Sequence, residues 1–312
     1  MYYLGVDIGG MSIKCGIVDE NGVIIGEKRT IVTPTTGGDD CINGIAELCT
    51  DTLKINALSL DDVAAIGLGV PGTVDGEVAT FVSNLGWEDY PVCQKLRDLL
   101  GKPVFAGNDA NCAALAEWKF GAGKGFDNVV MVTLGTGVGT GFIVDGKLLL
   151  GHKGSGSEGG HMIIKAGGKK CNCGLCGCWE RYAATTALLE AVKDEIANDP
   201  MGVIAKIAEE QGGFDGKTLF YALDKDDKRA KEILHAYLGD IALGLINISN
   251  IFRPQIMVIG GGISRQERVV KPLENMINDC AYGNGRNPYI AVRPATFGND
   301  AGIIGASLLA LI

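Results

Sequence analysis

The run Tyr3-Leu4-Gly5-Val6-Asp7-Ile8 is almost wholly apolar and stops at Gly9-Gly10, and a second apolar-rich run from Lys14 to Val18 turns at Asp19-Glu20-Asn21-Gly22. Short runs closed by turn residues predict a β-hairpin whose tip carries glycines. The same layout returns in mid-chain, where Val129 to Leu134 leads into Gly135-Thr136-Gly137 and Thr140 to Val144 turns at Asp145-Gly146. Val6 falls on Val132, Gly9 on Gly135, Ile17 on Ile143, Val18 on Val144 and Asp19 on Asp145, each pair 126 positions apart (132 − 6, 145 − 19). One offset kept along a whole hairpin identifies an internal duplication.

After each hairpin the period changes. Val63 to Val70 predicts a buried strand ending in Pro71-Gly72, and Pro103 to Ala106 predicts another, followed by Gly107-Asn108-Asp109 and a helix from Ala110 through Trp118. Leu234, Tyr237, Leu238, Ile241 and Leu245 recur at helical spacing, with a stop at Pro254. A strand from Ile256 to Ile259 ends in Gly260-Gly261-Gly262, and Asp300-Ala301-Gly302 to Ile312 predicts an apolar terminal helix packing back on the first domain. Strands alternating with helices indicate α/β domains, and the polar groups just named stand at carboxyl ends of strands, where open α/β sheets bind ligands. Two such domains enclose a cleft.

Length, composition and charge narrow the function. At 312 residues the chain exceeds the size at which one core usually stops growing, so two domains are expected. A 46% hydrophobic and 21% charged composition is that of a globular protein. A net charge of -9 argues against nucleic acid as a partner, since phosphate-backbone binding needs a basic face. The start Met1-Tyr2-Tyr3-Leu4 has no basic export segment, and no run of apolar residues is long enough to span a bilayer, so a cytoplasmic protein without membrane contact is expected.

Glycine-rich turns expose successive backbone N–H groups and admit a phosphate closely, so two such tips can hold one triphosphate. Gly135-Thr136-Gly137-Val138-Gly139 is not a dinucleotide fingerprint, because that motif must open a helix and Phe142-Ile143-Val144 continues as a strand. No Gly-x4-Gly-Lys-Ser/Thr loop occurs. Asp109, ending a buried strand beside Asn108, suits a general base, and its alternative role is to cap the following helix. Ten cysteines in a long chain without an export signal do not form a disulfide framework. Four of them crowd into Cys171-Asn172-Cys173-Gly174-Leu175-Cys176-Gly177-Cys178, between His161 and Glu180. Thiolates this close to an upstream imidazole match a tetrahedral zinc site, with either three cysteines and His161 or four cysteines as ligands.

Asp7-Ile8-Gly9-Gly10, Gly107-Asn108-Asp109, Gly135-Thr136-Gly137-Val138-Gly139-Thr140-Gly141, Glu158-Gly159-Gly160-His161 and the Cys-x-Cys-Gly-x-x-Gly-Cys-x-Glu cluster, taken in order, resemble the repressor, open reading frame and kinase (ROK) family of bacterial sugar kinases, above all its glucokinases. The resemblance implies a two-domain, duplicated ribonuclease H-like (actin-like ATPase) fold with an interdomain cleft. Residues 1–117 with 299–312 would form one domain, and residues 118–298 the other, with the zinc knuckle. It implies ATP-dependent phosphorylation of a hexose, glucose first, with Asp109 as base. Gly72, Asn84, Asn108, Glu158, His161 and Glu180 would hold the sugar. His161, Cys171, Cys173 and Cys178 would hold a structural zinc, leaving Cys176 aside. ATP with magnesium would lie on Asp7, Gly9, Gly10, Met11, Ser12, Gly135, Thr136, Gly137, Gly261 and Gly262, and the family habit is a homodimer or homotetramer. The family usually has Thr where Met11 stands, so a phosphate-facing hydroxyl is missing or is supplied by Ser12. Another hexose or N-acetylmannosamine as acceptor, a sugar-responsive repressor and a non-catalytic sugar-binding protein are the rival readings.

Overall fold

A computed structural model describes residues 1–34 and 36–311, so Ile312, the last residue of the expected terminal helix, lies outside the described residues. In chain order the elements are β1 (Tyr2–Ile8), β2 (Ser12–Asp19), β3 (Ile24–Val32), α1 (Gly38–Ile55), β4 (Val63–Val70), β5 (Thr73–Asp75), β6 (Val78–Val82), β7 (Trp87–Tyr90), α2 (Val92–Leu100), β8 (Val104–Asn108) and α3 (Asp109–Lys119). There follow β9 (Val129–Leu134), β10 (Val138–Val144), β11 (Lys147–Leu148), α4 (Glu180–Ala183), α5 (Thr185–Asn198), α6 (Val203–Glu210), α7 (Thr218–Asp224), α8 (Lys228–Phe252), β12 (Ile256–Gly260), α9 (Glu267–Cys280), β13 (Ala291–Pro294) and α10 (Ala301–Leu308).

Both hairpins form, and each is longer than its most apolar stretch. One five-stranded sheet has the order β3-β2-β1-β4-β8 and a second the order β11-β10-β9-β12-β13, so the two hairpins occupy equivalent places in two sheets of equal size. In the first sheet β1 pairs antiparallel with β2 and parallel with β4, which pairs parallel with β8. β4 is buried along nearly its whole length, as a central parallel strand covered on both faces must be, and this is why its sequence reads as a continuous apolar run. At the first turn Asp19 Oδ1 accepts from the N–H groups of Asn21 (2.9 Å) and Val23 (2.8 Å). The second turn is the two-residue Asp145-Gly146, both left-handed at φ 48° and 70°, the geometry that matches strand twist. α8 ends at Phe252, with Arg253 left-handed and Pro254 beyond it.

The chain divides into two compact units, residues 1–131, 140–157 and 295–312 in one and residues 132–139 and 158–294 in the other. Residues 118–131, 140–157 and 295–298, expected in the second domain, thus go with the first unit. Local ties account for part of this: Trp118 Nε1 donates to Phe126 O (2.8 Å), and the buried Glu117 carboxylate accepts from Ala122 N (3.0 Å) and Phe297 N (2.9 Å).

In the first unit the terminal helix α10 packs on β1, β4 and α3. The approach is close enough to require glycine on both sides. A Cβ at Gly5 would stand 1.9 Å from the Ile303 carbonyl oxygen, one at Gly67 would stand 1.8 Å from that of Ala306, and one at Gly305 would stand 1.7 Å from that of Cys112. No helix among the described residues is long and apolar enough to cross a membrane. Gly67→Ala is expected to cost about 3 kcal/mol or more in urea unfolding, because a methyl group against rigid backbone overpacks the core. Gly239→Ala, on α8 where a Cβ meets nothing within 4 Å, is expected to stabilise by about 0.5–1 kcal/mol.

Candidate active site and metal cluster

In the first unit the tip of the β1–β2 hairpin is held by three ties. Gly9 N donates to Ser12 O (3.0 Å), Thr33 Oγ1 to Gly9 O (2.6 Å) and Thr33 N to Met11 O (3.1 Å). The Met11 side chain is 81% exposed, so this position offers backbone groups. Asp7 lies opposite Lys14 in the hairpin register, with Oδ2 3.4 Å from Nζ. A Cβ at Gly302 would stand 2.6 Å from the Asp7 carboxyl carbon, so the start of α10 presses on this carboxylate. The Asn84 amide nitrogen stands 3.8 Å from a Cβ built on Gly10.

Asn108, and not Asp109, caps α3. Its Oδ1 accepts from Ala110 N (2.9 Å) and Asn111 N (3.1 Å), and its Nδ2 donates to Gly72 O (3.2 Å). The acceptor of this amide is therefore committed to the helix, and only the second Nδ2 hydrogen is left for a ligand. Asp109 is the first residue inside α3, and its Oδ1 accepts from Ala110 N at 2.8 Å. The cap thus fixes the backbone from which the Asp109 carboxylate projects.

In the second unit the ligand atoms of His161, Cys171, Cys173 and Cys178 all lie within 4.8 Å of one another. Cys171 Sγ is 3.8 Å from His161 Nδ1, and Cys173 Sγ is 3.5 Å from Cys178 Sγ. A tetrahedron with metal–ligand bonds of about 2.0–2.3 Å has edges of about 3.3–3.8 Å, and these two separations fall in that range, so the donor set could hold one metal ion of the zinc class. Of the two ligand sets open to sequence reasoning, the geometry gathers the one that contains His161. Cys176 is exposed and its backbone bridges to Lys170. Gly177, left-handed at φ 88°, brings the knuckle against the preceding segment, where a Cβ would stand 1.8 Å from Lys165 O.

Glu180 joins this cluster to its surroundings. Cys171 Sγ donates to Glu180 Oε1 (3.0 Å), and His161 Nδ1 lies 3.8 Å from the same oxygen. Its Oε2 would be 2.7 Å from a Cβ at Gly137, so the carboxylate reaches the tip of the second hairpin and occupies the space a side chain there would need. Burial pushes the Glu158 carboxyl above the usual glutamate range, His161 opposes that shift and Glu180 adds to it. The indole of Trp179 is fully buried, with Nε1 donating to Asp240 O (3.0 Å), and α8 makes room for it with Gly244, where a Cβ would stand 2.0 Å from the ring. Gly261, left-handed at φ 90°, lies against the Leu134 carbonyl, and Gly262 is open.

Each unit therefore has a glycine hairpin tip next to a carboxylate, Asp7 in the first and Glu180 in the second. Sequence reasoning missed Lys14 beside Asp7, Thr33 under the first tip and Gly302 against Asp7. Lys14 was detectable from the hairpin register, whereas the other two are brought in by distant segments.

The ROK family model matches residues 3–312. The chain is 33% identical to a glucokinase of Halalkalibacterium halodurans, covering 99% of this chain and 94% of that protein. It is 34% identical to a glucokinase of Streptomyces coelicolor, covering 98% and 96%. The crystal structure of a ROK family glucokinase from Streptomyces griseus in complex with glucose and AMPPNP superposes with a TM-score of 0.86 at 33% identity, covering 99% of each chain.

Cys173→Ser is expected to lower the metal bound per chain, measured by atomic emission on purified protein, while Cys176→Ser leaves it at the wild-type value. Equal loss from both would refute the ligand set gathered here.

Proposed function

The chain belongs to the ROK family and is a sugar kinase with the actin-like ATPase fold, and we propose that it phosphorylates glucose at the 6-hydroxyl with ATP. Similarity to glucokinases over nearly the whole chain supports this reading, as does the relative solved with glucose and AMPPNP. The observation that carries it is the grouping of Glu158, His161 and Glu180 around a four-ligand Cys/His cluster, with the Glu180 carboxylate also bordering a glycine hairpin tip.

Asp109 is the base. The 6-oxygen attacks the γ-phosphorus, its proton passes to the Asp109 carboxylate, the bond from the γ-phosphorus to the bridging oxygen breaks, and ADP leaves. Asp109 can take up this role because the helix beneath it is already capped by Asn108. Glu158, Glu180 and His161 accept from or donate to sugar hydroxyls. Asn108 contributes its remaining Nδ2 hydrogen, with Gly72 and Asn84 as further sugar contacts. Gly9, Gly10, Met11 and Ser12 would offer backbone to the phosphates, as would Gly135, Thr136 and Gly137, while Asp7 would help hold the magnesium and Gly261-Gly262 the adenosine.

Zinc on His161, Cys171, Cys173 and Cys178 would be structural, supplying a rigid crosslink and no activated water. His161 Nδ1 faces the thiols, so the imidazole is oriented by the cluster it joins. Glu180, two residues beyond the ligand Cys178, takes its place from the same crosslink. The chain's own residues thus bind and orient the sugar and move one proton at Asp109.

Asp109→Asn is expected to lower turnover about 10²–10⁴-fold while sugar affinity by calorimetry stays within a few-fold of wild type. Near wild-type turnover would refute the base assignment. An ATP-coupled assay across glucose, mannose, fructose and N-acetylmannosamine tests the acceptor, and a higher kcat/KM for any of the others would displace glucose. Stripping the metal with a chelator is expected to lower both the melting temperature and glucose affinity.

A further inference from the structure

Leu134, Gly135 and Thr136 turn their carbonyl groups toward the start of α5. Thr185 Oγ1 donates to Leu134 O (3.2 Å), Thr185 N donates to Gly135 O (2.8 Å) and Thr186 Oγ1 donates to Thr136 O (3.1 Å). Three consecutive peptide groups of the second hairpin tip are thus held by two adjacent residues. In a trans peptide the C=O and the N–H of the same plane point in opposite directions. Pinning these three oxygens therefore aims the N–H groups of Gly135, Thr136 and Gly137 away from α5. Gly135 N then donates to Gly137 O (3.0 Å), closing the turn, and the N–H groups of Thr136 and Gly137 keep the outward direction.

The tip cannot set this orientation by itself, because glycine at 135 and 137 leaves the backbone free to rotate. Nor is α5 placed by chance: α4 begins at Glu180, two residues after Cys178, and leads through the extended Ala184 directly into Thr185.

From this geometry we infer that Thr185 and Thr186 are positioning residues for the phosphate donor, orienting the peptide N–H groups that receive the phosphates of ATP on the Gly135–Gly137 tip. The inference rests on the kinase reading above and adds two residues outside the ATP and sugar contacts proposed there. The hydroxyls act through the backbone they hold, so the effect belongs to the nucleotide and not to the acceptor.

The test is titration of AMPPNP with magnesium into wild type, Thr185→Val, Thr186→Val and the two Thr→Ser variants, with glucose affinity and thermal melting measured on the same samples. Each valine variant loses one hydrogen bond and is expected to bind AMPPNP about 3- to 10-fold more weakly, with the serine variants within about twofold of wild type. Glucose affinity and bound metal are expected to stay at wild-type values. Wild-type AMPPNP affinity in both valine variants would overturn the inference, and so would a parallel loss of glucose and nucleotide affinity, which marks a merely structural role. A wild type that binds AMPPNP but phosphorylates no hexose would refute the proposed reaction and leave this test readable.

Discussion

Both units depend on backbone brought closer to backbone than any side chain allows. In the first unit Gly5, Gly67 and Gly305 let α10 lie on the carbonyls and strands beneath it, and in the second Gly160, Gly177 and Gly261 do the same for the loops beside the second hairpin. Such contacts leave no slack, because a methyl group in the gap meets peptide atoms that cannot rotate aside. A rigid frame follows, and the polar groups at the strand ends inherit its precision. Asn108 can spend its carbonyl on capping α3 because β8 delivers it in register with β4, pairing it with Val70.

Glu180 shows how such a frame serves chemistry. One oxygen accepts from Cys171 Sγ and the other borders Gly137, while the preceding Trp179 is locked into α8 by its indole. A carboxylate packed between the Cys/His cluster and Gly137 has little rotamer freedom left to lose when a ligand arrives, so little binding energy goes into ordering it. The four Cys/His residues that precede Glu180 and gather beside it could hold a metal, and a structural ion there would have a reason to exist in an enzyme that needs no metal hydroxide. It would replace a hydrophobic core in a knuckle too short to have one.

Much of this was legible in the sequence, and the limits are physical. The hairpins, the strand from Val63 to Val70 and the helix approaching Pro254 each carry their signal locally, in apolar runs, turn residues and helical period. The Cys/His cluster was legible because its ligands sit close together in the chain, although only the fold favours His161 over a fourth cysteine. Thr185 and Thr186 bond to carbonyls about 50 residues away, and nothing in their neighbourhood announces it. The same holds for Glu117, whose carboxylate accepts from Phe297 N 180 residues on and helps bind the segment after it to the first unit. Local pattern fixes elements, whereas long-range hydrogen bonds to backbone decide where units divide and which loops are held.

The duplication makes the difference between the two tips informative. Positions 7 and 14 of the first hairpin correspond to 133 and 140 of the second, so the facing pair Asp7 and Lys14 is replaced by Thr133 and Thr140. Thr133 Oγ1 accepts from Gly139 N (3.2 Å), and Thr140 donates to the Ser157 carbonyl, so both hydroxyls are turned to holding their own strand and loop. One ancestral hairpin has thus become a charged tip and a neutral one. A charged tip suits a magnesium-bound phosphate, since a carboxylate can face the cation while the amine faces the phosphate oxygens. A hairpin without a charged pair of its own can offer an anion its peptide N–H groups, and these serve better when their planes are fixed from behind. The second hairpin is the one whose carbonyls are pinned by Thr185 and Thr186 at the start of α5, so backbone support from α5 stands where the charged pair of the first hairpin is missing.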